Sequence, residues 1–132
     1  MLPSIWPGDV LLVQQAEFAD LQCGGMLLYA CHGGFVLHRI VEKKADAVIT
    51  RGDAFAEDDE PVLPFQVLGK LAIIERGRAR IVPKEKLNCP QRILRFAIRH
   101  CPPFLAFVLR LNSLRLRISG RKTRAGYVEF SV

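Results

Sequence analysis

His38 and Arg39 form a pair inside an otherwise apolar run, Phe35–Val41 (FVLHRIV), and an acidic loop, Glu57–Glu60, comes later in the chain. Imidazole is the side chain whose proton affinity lies closest to neutrality, so with a carboxylate on its second ring nitrogen it works as a general base. In acyl transfer such a base activates a hydroxyl nucleophile, the carboxylate fixes the tautomer, and backbone N–H groups stabilise the oxyanion. Asp53, Asp58 and Asp59 supply carboxylates, and Ser4 supplies a hydroxyl near the start of the chain. Each residue also has a plainer reading: a histidine in an apolar strand serves as a hydrogen-bonded core residue, and Asp58 and Asp59 serve as a solvated loop. Arg51-Gly52-Asp53 spells an adhesion tripeptide, which chance alone accounts for. His32 and His100 have no evident partners and read as surface residues. The four cysteines, Cys23, Cys31, Cys89 and Cys101, form no C-x-x-C pair and no Cys/His cluster of zinc-ligand spacing, so no metal and no cofactor is expected. Idle thiols are the default, although Cys89 and Cys101 are able to pair in an oxidising compartment.

The elements that must carry these groups are mostly strands. Apolar runs begin after turn residues: Val10–Val13 after Pro-Gly-Asp, Met26–Ala30 after Gly24-Gly25, and Phe35–Val41 after Gly33-Gly34. Ala47–Thr50, Val67–Glu75 and a short return strand at Arg80–Val82 follow, and Gly69 marks a bulge or tight bend within its run. Strands this short, punctuated by Gly and Pro, predict a mainly β, compact and coiled body over residues 1–83. Beyond Pro83 the pattern changes to helix. Pro90–His100 sets Arg92, Arg95 and Arg99 on one helical face and Ile93, Phe96 and Ala97 towards another. Pro102-Pro103 interrupts it, and Phe104–Leu111 reads as a second helical stretch. Residues 84–132 are therefore expected to form a basic, partly helical extension.

Charge divides the same way. Residues 1–82 hold 8 Lys/Arg against 11 Asp/Glu, and residues 83–132 hold 11 against 2. The basic third either is an Arg-rich solvated helix face or points to an anionic surface, with Arg92, Arg95, Arg99, Arg110, Arg115 and Arg117 facing lipid headgroups. Few aromatics interleave these arginines and no reader motif appears, which argues against nucleic acid. With 132 residues, half of them hydrophobic, the chain is long enough to bury a core and too apolar for global disorder. Its longest apolar stretch, Cys101–Leu109, is far short of the roughly 18 residues that a span requires. A peripheral membrane-associated or cytoplasmic location is the expectation.

Read together, MLPSIWPGDVLLV at 1–13, FVLHRIV at 35–41 and ITRGDAFAEDDEPV at 49–62 resemble the signal peptidase I family. They are most similar to the histidine-base branch of archaeal and endoplasmic-reticulum enzymes, relatives of the SOS-repressor self-cleaving peptidases. The resemblance covers about residues 1–75 and includes Leu68-Gly69-Lys70. It implies a coiled β half-barrel. The family's first motif is Ser-Met-x-Pro-Thr/Ser, a short spacer and Gly-Asp, which Met1, Pro3, Ser4, Gly8 and Asp9 match. The second, a base before Arg, matches His38-Arg39-Ile40. The third, Gly-Asp and an acidic loop, matches Gly52, Asp53, Asp58 and Asp59. The resemblance makes His38 the base, Asp59 its orienter, Asp53 a support for the site, and Met1, Pro3 and Ser4 the stretch beside the bound peptide. Gly24-Gly25 departs from the family's usual Gly-Asp and weakens a structural turn.

The family's nucleophile is the serine directly before the motif's methionine, and these 132 residues begin at that methionine. Ser4 is three positions away, where the family carries a hydroxyl residue without using it as nucleophile. The function implied is a signal-peptidase-like serine endopeptidase acting on an extended peptide or preprotein. Its serine is expected immediately upstream of Met1, lost to a start assigned too late. The alternative is an inactive pseudo-peptidase that binds peptides or a membrane surface.

Overall fold

The strands form where apolar runs meet Gly- and Pro-marked turns. In the computed structural model they are β1 (Val10–Gln14), β2 (Met26–Cys31), β3 (Gly34–Lys43), β4 (Val48–Arg51), β5 (Val67–Arg76) and β6 (Ala79–Ile81). Helices α1 (Cys89–His100) and α2 (Pro102–Ile118) follow, and β7 (Val128–Ser131) closes the described chain. The structure describes residues 1–31, 33–86, 88–100, 102–118 and 128–131. His32 and Cys101 lie outside them, as do Arg121, Lys122 and Arg124 of the basic tract. The two helices meet at Pro102, whose missing N–H is tolerated in a first helical turn.

One open sheet runs in the order β4-β3-β2-β5-β1-β7, with β6 folding back onto β5. All pairings among β1–β6 are antiparallel, and β7 lies parallel to β1. The mainly β expectation holds, and the sheet is not closed. β7, for which the sequence predicts no strand, brings the end of the basic third back to the sheet edge. Among the described residues no helix is long and apolar enough to cross a membrane.

Two register shifts interrupt the pairing of β5. β5 slips once against β2, between Leu28 and Tyr29, and once against β1, between Leu12 and Val13. Each shift bends the strand and tightens its twist. Gly69 sits at the first bend, where a Cβ would lie 2.5 Å from the Gln14 carbonyl oxygen and 2.9 Å from Val13. Close backbone approach therefore excludes a side chain there, which is the role the isolated glycine signalled.

The sheet carries two cores, one on each face. Successive residues of a strand point to opposite faces, so β2 divides its side chains between them. Leu27 and Tyr29 pack with Leu21, Ile40, Val48 and Val62, while Met26 and Leu28 pack with Val13, Leu71 and Ile74. Leu27 and Val48 are fully buried. The same pleat governs β3: His38 stands opposite Leu27 and Arg39 opposite Met26. Two neighbours in sequence are thus sent to different faces of the sheet, and two separate polar clusters result.

Candidate active site

His38 Nδ1 lies 2.6 Å from Asp59 Oδ2. The loop between β4 and Asp59 is short and tied at both ends. Phe55 N–H donates to the Gly52 carbonyl at 2.9 Å, and Asp59 N–H donates to the Thr50 carbonyl at 2.8 Å. That second bond turns the Asp59 side chain back onto β4, where Thr50 Oγ1 donates to the same carboxylate oxygen at 2.7 Å. Tyr29, on β2, brings its hydroxyl to 3.4 Å from that oxygen and 3.2 Å from Thr50 Oγ1. Thr50 has one proton, and the shorter contact to a charged acceptor takes it. Burial, reinforced by the Asp59 charge, pushes the Tyr29 phenol above its ordinary value, although its bond with Thr50 acts the other way. A neutral phenol therefore flanks the carboxylate.

This arrangement fixes the imidazole. With Asp59 accepting from Nδ1–H, Nε2 carries the lone pair, the form that a general base needs. Among the described residues Nε2 has no hydrogen-bond partner, and the side chain is 15% exposed. Gly52 passes directly behind it: a Cβ there would stand 3.0 Å from Nε2 and 2.5 Å from the Phe55 ring. Phe55 meets His38 edge to face, with ring centroids 5.9 Å apart at 73°. Asp58 points elsewhere and forms an exposed pair with Arg51 at 3.2 Å.

Asp53, the residue after Gly52, belongs to the other cluster. Arg39 grips it through both nitrogens of a fork, Nε to Oδ1 at 2.8 Å and Nη2 to Oδ2 at 3.0 Å. The Asp53 side chain is 2% exposed. Arg39 Nη1 donates to the carbonyls of Gly24, Lys84 and Glu85, which ties the β2 turn and the segment leading to the helices to one guanidinium. Gly24 adopts φ +91°, and a Cβ there would meet the Glu85 carbonyl at 2.8 Å, so this crossing needs glycine. Ser4 donates a very short hydrogen bond to Asp53 and accepts from Arg39 Nη2 at 3.3 Å. Its hydroxyl is engaged there and not with His38. Pro3 is buried and Met1 packs against the second core.

The loop of residues 3–9 is held in turn by Asp9. That buried carboxylate accepts the Trp6 N–H at 2.8 Å and both arms of Arg76, at 2.9 Å and 2.7 Å. Arg76 Nη2 also donates to the Ser4 carbonyl at 3.0 Å.

The structure thus brings His38 and Asp59 together, and separately Asp53, Ser4 and the start of the chain, with Gly52-Asp53 bridging the two sets. Sequence reasoning missed Tyr29, Thr50 and Phe55 as partners of the pair, and Arg39 as the partner of Asp53. The only available signals were the two hydroxyls on strands next to β3. Of the cysteines, Cys23 is exposed and Cys31 partly buried, both as free thiols. Among the described residues no group of three or more His, Cys, Asp or Glu could hold a metal ion. Comparisons with protein-family models, with characterised proteins and with solved structures return no match.

Proposed function

We propose that this chain carries the base and the orienting acid of a Ser-His-Asp endopeptidase of the signal-peptidase-like kind, folded as a coiled β half-barrel. The observation that carries the reading is the 2.6 Å contact of His38 Nδ1 with an Asp59 that is itself anchored by Thr50 and by its own backbone. A histidine kept only for packing has no need of an oriented carboxylate, whereas a base that becomes imidazolium in every cycle has. His38 Nε2 takes the nucleophile's proton and returns it to the leaving amine, while Asp59 keeps the ring in register and stabilises its positive charge. The nucleophile in this reading is a serine immediately preceding Met1. The Arg39–Asp53–Ser4 cluster fixes the backbone that would present it. The substrate is an extended peptide or preprotein.

Peptidase activity on a signal-peptide-like substrate tests the reading, with the 132-residue chain compared with a version carrying a serine before Met1 and a few residues ahead of it. Cleavage by the serine-bearing form alone, abolished by His38→Ala, is the expected result. Absence of cleavage by both forms, with the fold intact by circular dichroism, refutes it and leaves a binding role.

A further inference from the structure

We propose that α1, with the adjoining part of α2, is a docking surface for an anionic lipid membrane. The proposal is independent of the peptidase reading. Between Glu85 and Glu129 the chain has no acidic residue, and α1 and α2 together hold six arginines. Within α1 the spacing of Arg92, Arg95 and Arg99 puts them on one face, and that of Ile93 and Phe96 puts these on another. A helix patterned in this way ordinarily turns its apolar face onto the protein. Here Ile93 is 70% and Phe96 65% exposed, and on α2 Phe107 is 57% and Leu114 51% exposed. These four side chains are exposed, and the two cores form without them.

Charge selects the occupant. A second copy docking through this surface would set arginines against arginines with no acidic residue to pair them, which repels. A nucleic acid would take up the arginines but has no use for exposed Ile93 and Phe96. A membrane with anionic headgroups takes both, phosphates against the arginines and the upper acyl region against the apolar side chains. α2 is also tied to the N-terminal loop, Asn112 Nδ2 donating to the Pro7 carbonyl at 3.2 Å. Docking would therefore hold the loop of residues 3–9 close to the lipid surface.

Co-sedimentation of the full chain with lipid vesicles tests this, using pure phosphatidylcholine and the same lipid with about 30 mol% phosphatidylglycerol. The chain is expected to pellet with the anionic vesicles and stay in solution with the neutral ones, and to be released as salt rises. Ile93→Asp with Phe96→Asp, both at exposed positions, should weaken the anionic binding by about tenfold or more with unchanged circular dichroism. Equal binding to both vesicles, or no binding to either, overturns the proposal. So does anionic binding that ignores the two substitutions, since a basic tract acting without insertion needs no apolar face. Concentration-dependent dimerisation abolished by Ile93→Asp and Phe96→Asp, without vesicle binding, or tight retention on duplex DNA that those substitutions leave unchanged, also overturns it.

Discussion

Arg39→Met removes a cation from a site that has little water to replace it. The variant keeps most of the length and apolar stem of the side chain, so the loss is mainly that of the charge and its donors. Asp53, its side chain 2% exposed, then keeps the Ser4 hydroxyl and the attraction of the Met1 ammonium but loses its hydrogen-bonded cation. Breaking a buried pair by removing one partner costs about 3–5 kcal/mol, mostly the penalty of the stranded charge. The carbonyls of Gly24, Lys84 and Glu85 lose a charged donor as well. Against a total stability of roughly 5–15 kcal/mol for a domain of this size, that is a large share. With a urea slope of about 2 kcal/mol/M, a loss of about 4 kcal/mol lowers the unfolding midpoint by about 2 M.

The sign of a second substitution separates this account from a simple packing loss. If the penalty is the stranded carboxylate, then adding Asp53→Leu to Arg39→Met should recover part of the loss, because removing both charges of a buried pair is far cheaper than removing one. If the damage were only loss of side-chain contacts, the double variant would be less stable than either single one. Urea unfolding followed by circular dichroism on the wild type, both single variants and the double variant decides it. A loss below about 1 kcal/mol for Arg39→Met, or simple additivity in the double variant, refutes the reasoning.

Two further substitutions probe the His38 side. Gly52→Ala places a methyl group where the Phe55 ring and His38 Nε2 now stand, 2.5 Å and 3.0 Å away. The exposed Phe55 is able to swing aside, so the stability cost should stay under about 2 kcal/mol by urea unfolding. In the serine-bearing form, crowding at Nε2 should cut kcat by about tenfold or more with a smaller change in KM. Tyr29 has a phenol raised above its usual value of 10.0, first by burial, so the folded chain holds this proton at a pH where the unfolded chain releases it. Its contribution is fully present below that value and is lost as pH rises through the range between the unfolded and folded values. Tyr29→Phe should remove that alkaline loss, seen as a flatter dependence of the urea midpoint on pH above about 10.

The strands were legible because their limits are written in glycine and proline. Observed bounds differ from the expected ones by a residue or two, as at β3, which extends on both sides of Phe35–Val41 to Gly34 and Lys43. β7 was not legible, because four residues after a basic tract carry no alternation long enough to stand out, and its pairing with β1 is non-local. The His38–Asp59 pairing was accessible through motif order. Its supports were not: Thr50 and Tyr29 are ordinary strand residues, and only the sheet order that puts β2 and β4 on either side of β3 makes their hydroxyls converge. Arg76 and Asp9 meet across β5 and the loop before β1, a contact that no local pattern announces.

The three carboxylates that the motifs offered end in different electrostatic situations, and this separates their roles. Asp58 pairs with Arg51 in solvent, where an ion pair contributes little. Asp53 is dry and held by the fork of Arg39, with the Met1 ammonium also attracted to it, so it acts as a fixed structural anchor. Asp59 is the contrasting case. Among the described residues no Lys or Arg pairs with it, and its side-chain partners are two neutral hydroxyls and the imidazole. Its negative charge is held in position without being cancelled. A carboxylate prepared in that way stabilises a cation that comes and goes, which is what a histidine cycling between imidazole and imidazolium requires. The alternating pleat of β3 makes the division possible, since it sends His38 to the uncompensated acid and Arg39 to the one it neutralises.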